Sequence, residues 1–437
     1  MNVEIRSVKT LAEQALTAAY KAARSTLPGK GAVAALRESA FKHFDASGLP
    51  NRRVEEWKYT DLRALMADAL PLAQPPDGAA KTRAKDAGKQ FSGVDCRRLV
   101  FIDGAFMPDM SDLTPEPGLT VSSLAEALTK ADSAVSAQLG KTIETDDVAV
   151  ALNTALMGDG AVIRVAAGTK LKKPLHLVFA TGGGAPSSAF IRSLVTVEKN
   201  AAAILIESHE NGGNQVNAAL ELSIDDGAEV DHVKLTQTRG LHIGTLMASV
   251  GAKAKFTSFS FNADAQLVRN QVFVRFAGEG THAAIRGVNL LKGKEHVDTT
   301  LLIDHAAGHC ESREQFKSVL DGESRGVFQG KIVVRPHAQK TDAKMMTRAL
   351  LLSEEAEADN KPELEIFADD VVCGHGATTA APDEGLKFYL MSRGIPEQEA
   401  EALLIQAFVD DAIGEIAHEG VRGALMFAAA KWLGTRT

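Results

Sequence analysis

Apolar residues recur at two different spacings along this chain, and the change from one to the other divides it. Val33, Leu36, Ala40, Phe41 and Phe44 fall three and four apart, the stripe of an amphipathic helix. Ahead of them Thr10-Leu-Ala-Glu13 has the form of a capping box, so about the first 70 residues read as helical. From about Ala161 the apolar positions turn strand-like and stay so for about 220 residues. Ala161–Val165, Leu175–Ala180, Ser193–Val197, Ala203–Ile206, Ala219–Ile224, Val230–Leu235, Lys255–Phe261 and Val272–Phe276 are short and rich in Val, Ile, Leu, Phe and Thr.

Turn residues bound those segments at Lys199-Asn200, Asp226-Gly227, Gly251 and Gly278-Glu-Gly280, about 25–29 residues apart. No long crossover helix interrupts the block, which disfavours a Rossmann sheet or a TIM barrel. A sandwich and a solenoid remain, and the loose repeat favours a β-helix whose coils cover one another. Its ends need caps, which the flanking helical regions are expected to supply.

Between the first helices and the β block, the segment 73–92 lacks an apolar period and reads as a loop or mobile linker. Arg98–Ile102, Asp103-Gly104 and Ala105–Met107 read as a hairpin. Two helical pieces follow, one opened by Ser123-x-x-Glu126 and one starting near Asp147. After the block, Gly394-Ile395-Pro396 opens a further helix. Its Ala400, Leu403, Leu404, Ala407, Phe408 and Ile413 make a broad apolar face, suited to packing on the chain or to docking another protein. The expected organisation is a mostly helical region over 1–158, a β-helix core over 159–383 and a C-terminal helical region over 384–437.

With 437 residues, 45% hydrophobic and 24% charged, the chain has the composition of a folded globular protein. Its longest purely apolar run, Ala424–Ala430, is far too short to cross a bilayer. The charged start MNVEIRSVKTLAEQ lacks the apolar core of a secretory signal. A net charge of −8 without a basic stripe argues against general nucleic-acid binding. Cys96, Cys310 and Cys373 are widely spaced and odd in number, which excludes a disulfide framework and points to a reducing cytoplasm.

Several motifs fail on their surroundings. Gly140-Lys141-Thr142 resembles the end of a phosphate loop, but Val135 stands where the first glycine belongs. Gly322-Glu-Ser324-Arg-Gly326 matches a nucleophile elbow, yet strand follows where a helix is required, so a hairpin turn with a solvated serine is expected. Asp304-His305-Ala-Ala-Gly-His309-Cys310-Glu311 holds ligand-type residues, but His309 and Cys310 would point to opposite faces of a strand. A structural role is expected there. More promising is Asp369-Asp-Val-Val-Cys373-Gly374-His375-Gly376. Cys373 and His375, two apart, share one face of a strand, and the flanking glycines leave room for something large. Two ligands complete neither a zinc site nor an iron–sulfur site, so the remainder would have to come from another chain.

Four stretches carry a family resemblance. They are Arg53-Val-Glu-Glu-Trp-Lys-Tyr-Thr60; Gln339-Lys-Thr-Asp342 with Ala349-Leu-Leu-Leu-Ser353; Lys361-Pro-Glu-Leu-Glu-Ile366 followed by Asp369–Thr378; and Phe388-Tyr-Leu-Met-Ser-Arg-Gly394. In order and spacing they resemble the SufB/SufD family of the SUF iron–sulfur cluster assembly system. The Cys-Gly-His-Gly form of the third stretch resembles the SufD side, the sister side carrying a His-Glu pair there. The resemblance implies a right-handed parallel β-helix flanked by helical regions, and a scaffold without catalysis of its own. It also implies a SufB-like sister chain paired through the β-helix and a SufC-like ATPase docked on the C-terminal helices. ATP hydrolysis and cysteine desulfuration would then belong to partner subunits. His375 would lie at the shared interface, where a nascent cluster is assembled with ligands from the sister, and Cys373 beside it. An isolated chain is expected to be able to pair with itself, because an edge that accepts a sister can accept a copy.

Overall fold

A computed structural model describes residues 8–435, so the reading of the first seven residues as a non-secretory start lies outside the described residues. The helices in chain order are α1 (Leu11–Ala23), α2 (Ala32–Ser47), α3 (Leu62–Leu65), α4 (Gly78–Arg83), α5 (Leu124–Thr129), α6 (Ser133–Gln138) and α7 (Val148–Leu156). Three more, α8 (Glu384–Ser392), α9 (Glu397–Ile413) and α10 (Glu419–Leu433), close the chain. The strands begin with β1 (Arg97–Ile102), β2 (Ala105–Phe106), β3 (Leu119–Ser123), β4 (Ala161–Val165), β5 (Leu175–Ala180) and β6 (Ser188–Val197). They continue with β7 (Ala202–Asn211), β8 (Gln215–Ile224), β9 (Glu229–Val250), β10 (Lys255–Phe276), β11 (His282–Leu291) and β12 (His296–His305). The last are β13 (Glu311–Leu320), β14 (Arg325–Val334), β15 (Asp342–Leu351), β16 (Glu357–Ile366) and β17 (Val372–Ala380).

These strands wind into a β-solenoid of about 8 turns. Each turn lays one strand on each of two facing parallel sheets. The first sheet stacks β1, β5, β7, the first half of β9, the first half of β10, β11, β13, β15 and β17. The second stacks β4, β6, β8, the remaining halves of β9 and β10, β12, β14 and β16. A side-chain period of two then sends alternate residues into the lumen between the sheets. Leu205, Phe256, Ile285, Phe316, Phe328 and Ile332 are among those that form its apolar filling.

One corner of seven successive coils, all but the last, holds a residue in the left-handed conformation: Gly168, Asn200, Gly227, Lys253, Gly280, His309 and Lys340, with φ between 56° and 71°. The backbone N–H of each donates to a carbonyl in the next coil, as from Asn200 to Asp226, from Gly227 to Ala252 and from Lys253 to Glu279. This hydrogen-bonded stack is the physical source of the loose repeat in the turn residues. It also places His309. The imidazole sits at an exposed corner, whereas Cys310 is buried with its thiol donating to the Gly278 and Gly308 carbonyls. His305 turns inward to the Ser312 hydroxyl at 3.0 Å. The structural reading of that segment stands.

Two expectations are corrected. Gly322 does turn the chain at φ 64°, but it joins strands of opposite sheets rather than a hairpin, and Ser324 is buried instead of solvated. The C-terminal helices do not cap the solenoid. Helices α9 and α10 lie on the outer face of the first sheet, where Ile405, Val409 and Ala412 pack with Val288, Leu290 and Val319, and α8 packs on α9. Lys317 of β13, nearly fully buried, fastens that contact by donating to the Phe408 carbonyl at 2.6 Å and pairing with Asp411. The final coil therefore stays open.

At the other end the helical region and the solenoid interpenetrate. β1 pairs in parallel with β5, and β3 runs antiparallel on β4, so strands from before residue 159 belong to the sheets. The hairpin of β1 and β2 turns on Asp103-Gly104, both at positive φ. Asp77 caps α4 inside the segment read as a loop, and Ala80 packs there against Val178. The capping box at Thr10 is formed.

Candidate functional site

β17 is the last strand of the first sheet and pairs only with β15 among the described residues, leaving its outer edge free. Its register sets Cys373 on Ala343 and His375 on Met345, both of which point into the lumen. Cys373 and His375 therefore share the lumen side at the mouth of the solenoid, as their spacing predicts. His375 is exposed and Cys373 is half-buried. Burial pushes the Cys373 thiol up, with the Asp342 carboxylate adding to the shift and a backbone hydrogen bond at Ala343 opposing it.

The other side of β17 presents Gly374 and Gly376. A Cβ at Gly374 would meet nothing within 4 Å, whereas one at Gly376 would stand 2.8 Å from Met346 Sδ. Gly376 is thus explained by packing within the chain. Gly374 is not. The space beside it is open. Val372, 61% exposed, and Phe367, 59% exposed, add apolar surface to the same end.

Glu314 was not singled out by its motif. It sits at an inward position of β13 between Ser312 and Phe316, on a register line that runs Ile285, Glu314, Met345, His375. Both of its carboxylate oxygens are buried without a hydrogen-bond partner. Burial pushes the acid up to about 8, against weaker pulls from the Ser312 hydroxyl and the Arg313 guanidinium. The signal was legible: a charged residue in the core phase of a strand that otherwise carries apolar or small groups there.

Cys96 lies far from this end, in the loop before β1, with its sulfur 3.8 Å from His176 Nδ1. The structure thus brings together Cys373 and His375 and leaves Cys96, Cys310, His305 and His309 apart from them. Among the described residues, no three His, Cys, Asp or Glu side chains are grouped so as to hold a metal ion.

By its architecture the chain is an open-ended parallel β-solenoid that carries a thiol and an imidazole on its last strand. Comparison with known families agrees. Residues 11–177 match the SufBD protein N-terminal region, and residues 179–408 match the SufBD core domain of SUF system FeS cluster assembly. The chain belongs to the SufBD family. It is 32% identical to the iron–sulfur cluster assembly protein SufD of Escherichia coli, over 86% of this chain and 87% of that protein. A SufBD family protein of Synechocystis is 31% identical over 89% of this chain and 88% of its own length. SufD of Bacillus subtilis is 26% identical over 63% and 64%. No helix is long and apolar enough to cross a membrane among the described residues.

Proposed function

We propose that this chain is a non-catalytic scaffold subunit for iron–sulfur cluster assembly in the cytoplasm, holding the nascent cluster only jointly with a SufB-like sister. The observation that carries the reading is the joint display of Cys373 and His375 on a strand whose outer edge lacks a neighbour. The cluster is cargo here, not a resident cofactor. Neutral imidazole and thiolate are competent iron ligands, and the thiol must shed its proton on binding. The sister supplies the ligands this chain lacks, by adding to the free edge of β17 beside the open Gly374. A copy of the same chain can occupy that edge when the sister is absent.

A SufC-like ATPase is assigned to the C-terminal helices. The inner faces of α9 and α10 are used on the solenoid, but Leu386, Phe388 and Tyr389 of α8, Leu403 of α9 and Phe427 of α10 remain exposed. An apolar surface of that extent is expected to be covered by another protein. Lys317 ties α9 to β13, in the same sheet that ends in β17, so movement of the docked helices reaches the site through two strands.

The test is anaerobic reconstitution of the complex with iron and sulfide, with and without His375→Ala. The variant is expected to fold and to bind its partners while the cluster absorption is lost. Normal cluster formation by the variant would reject the reading and leave a structural interaction protein without a cluster role.

A further inference from the structure

Between the end of β15 and the start of α8 the chain winds its final coil, residues 352–383. That stretch carries nine acidic residues against a single lysine, Lys361. Its balance of −8 equals the net charge of the whole chain, so the rest of the molecule is balanced. Some of these acids are used within the chain. Arg325 pairs with Glu357 and Asp359, Lys331 with Glu365, and Lys340 with Asp370. Glu354, Glu355 and Asp369 are exposed and enter no ion pair among the described residues. Glu354 and Glu355 stand at the bend from β15 to β16, and Asp369 at the bend from β16 to β17. Both bends of the open coil are therefore acidic.

Free strand edges lie between those bends. β16 pairs with β14 and β17 with β15, and among the described residues no strand pairs with their outer edges. Ile366 and Phe367, both exposed, add apolar surface beside the second bend. Backbone hydrogen bonding along such an edge is blind to sequence, so the edge by itself accepts a sister and a copy alike. Choice between them falls to the charges at the rim. Two copies related by a two-fold axis bring identical surfaces together, so one acidic rim would face another. Like charges set opposite each other reject a partner, whereas opposite charges steer and favour it.

We propose that the acidic rim of the final coil selects a partner whose matching end is rich in lysine and arginine, and turns away a second copy of this chain. This rests on the reading above that a sister shares the open end. The edge of β17 supplies hydrogen bonds common to any partner, and Glu354, Glu355 and Asp369 supply the discrimination. A copy still fits the edge when the sister is absent, but it does so against repulsion. The two pairings then answer oppositely to salt. Screening, with a Debye length of about 10 Å at 0.1 M, weakens an attraction in one and a repulsion in the other.

The experiment measures both pairings of the full chain, without any cluster, at about 0.05 M and about 0.5 M sodium chloride. Sedimentation equilibrium reads self-pairing, and titration calorimetry reads binding to the sister. Affinity for the sister is expected to fall at least about tenfold at the higher salt, while self-affinity rises. Salting-out of apolar surface moves both pairings the same way, so opposite signs isolate the charge. Glu354→Lys combined with Glu355→Lys should weaken sister binding about tenfold at low salt and tighten self-pairing. Glu354→Gln combined with Glu355→Gln should fall between that variant and wild type. Both positions are exposed, and an unchanged Tm verifies the fold. Sister binding indifferent to salt and to charge reversal would overturn the proposal. So would self-pairing that weakens with salt as sister binding does. If Gly374→Val weakens sister binding while the charge variants do not, only the charge rule fails. If neither substitution affects it, the shared open end fails and this inference with it.

Discussion

The Arg269 guanidinium sits over the indole of Trp57, 4.3 Å from the ring centroid, and this stack joins the N-terminal region to the solenoid. Both side chains are almost completely buried. Around them Trp57 Nε1 donates to Asp147 at 3.0 Å, Arg269 pairs with Asp298, and the Glu56 carbonyl accepts from Arg269 and Gln329. Thr60 adds a bond to Asp298 and Lys361 reaches Glu55. The Glu-Glu-Trp-Lys-Tyr-Thr stretch is therefore a strap across β10, β12, β14 and β16. Its residue types suit a strap, with an aromatic ring to stack and carbonyls and a hydroxyl to bridge strands.

Trp57→Ala is expected to cost about 3–5 kcal/mol, the range for emptying a buried aromatic site. Trp57→Phe keeps a ring against Arg269 and loses the bond to a carboxylate, at about 1.5–3 kcal/mol. Urea unfolding of the two variants checks the order. Equal losses would mean that the hydrogen bond, and not the stack, holds the strap.

Acid should weaken the solenoid from the inside. Burial lowers His176 to about 3 and His305 to about 4, so both stay neutral in the folded chain well below pH 6. In the unfolded chain they titrate near 6.5. Depressed values of this kind give stability that is complete above the unfolded pKa and is lost as pH falls below it. At pH 5.5 each histidine should already have forfeited about 1.4 kcal/mol, one unit of proton binding by the unfolded state. Buried His209 and His242, also lowered, act in the same direction. Melting curves at pH 7.5 and 5.5 test the slope, which His305→Gln should make shallower. An unchanged Tm across that interval would contradict the burial of these imidazoles.

Much of this architecture was legible because a solenoid repeats its own constraints. The turn at Asn200, the turn at Gly227 and the turn at Gly280 each mark the same corner, and strand alternation fixed which residues face the lumen. The placement of Cys373 with His375 followed from that alternation alone. What escaped was long-range. Nothing local to α9 says that Ile405 and Val409 face the solenoid while Leu403 does not, because apolar residues occur on both sides of the helix. Nor does the pattern near Ser324 tell a hairpin from a corner between two sheets, since both need the same left-handed glycine. The meaning of Trp57 was hidden for a similar reason. Its partner Arg269 lies more than 200 residues away in the sequence.

Gly374 gives the sharpest test of the open edge. Its backbone φ is not left-handed, and a side chain there would meet nothing of its own chain within 4 Å. Gly374→Val should therefore leave the isolated subunit as stable as before, within about 0.5 kcal/mol, the usual range for a surface substitution. Placed between Cys373 and His375 on the free strand, the same side chain stands where a neighbouring polypeptide would approach. Pairing with the sister subunit, read by size-exclusion chromatography and titration calorimetry, is expected to weaken at least tenfold. Gly330→Val serves as the contrast, because a Cβ there would lie 2.4 Å from Met345 Sδ, and that variant should lose stability instead. Undiminished pairing by Gly374→Val would show that the sister does not approach this side of β17, and the shared site would have to be sought on another surface.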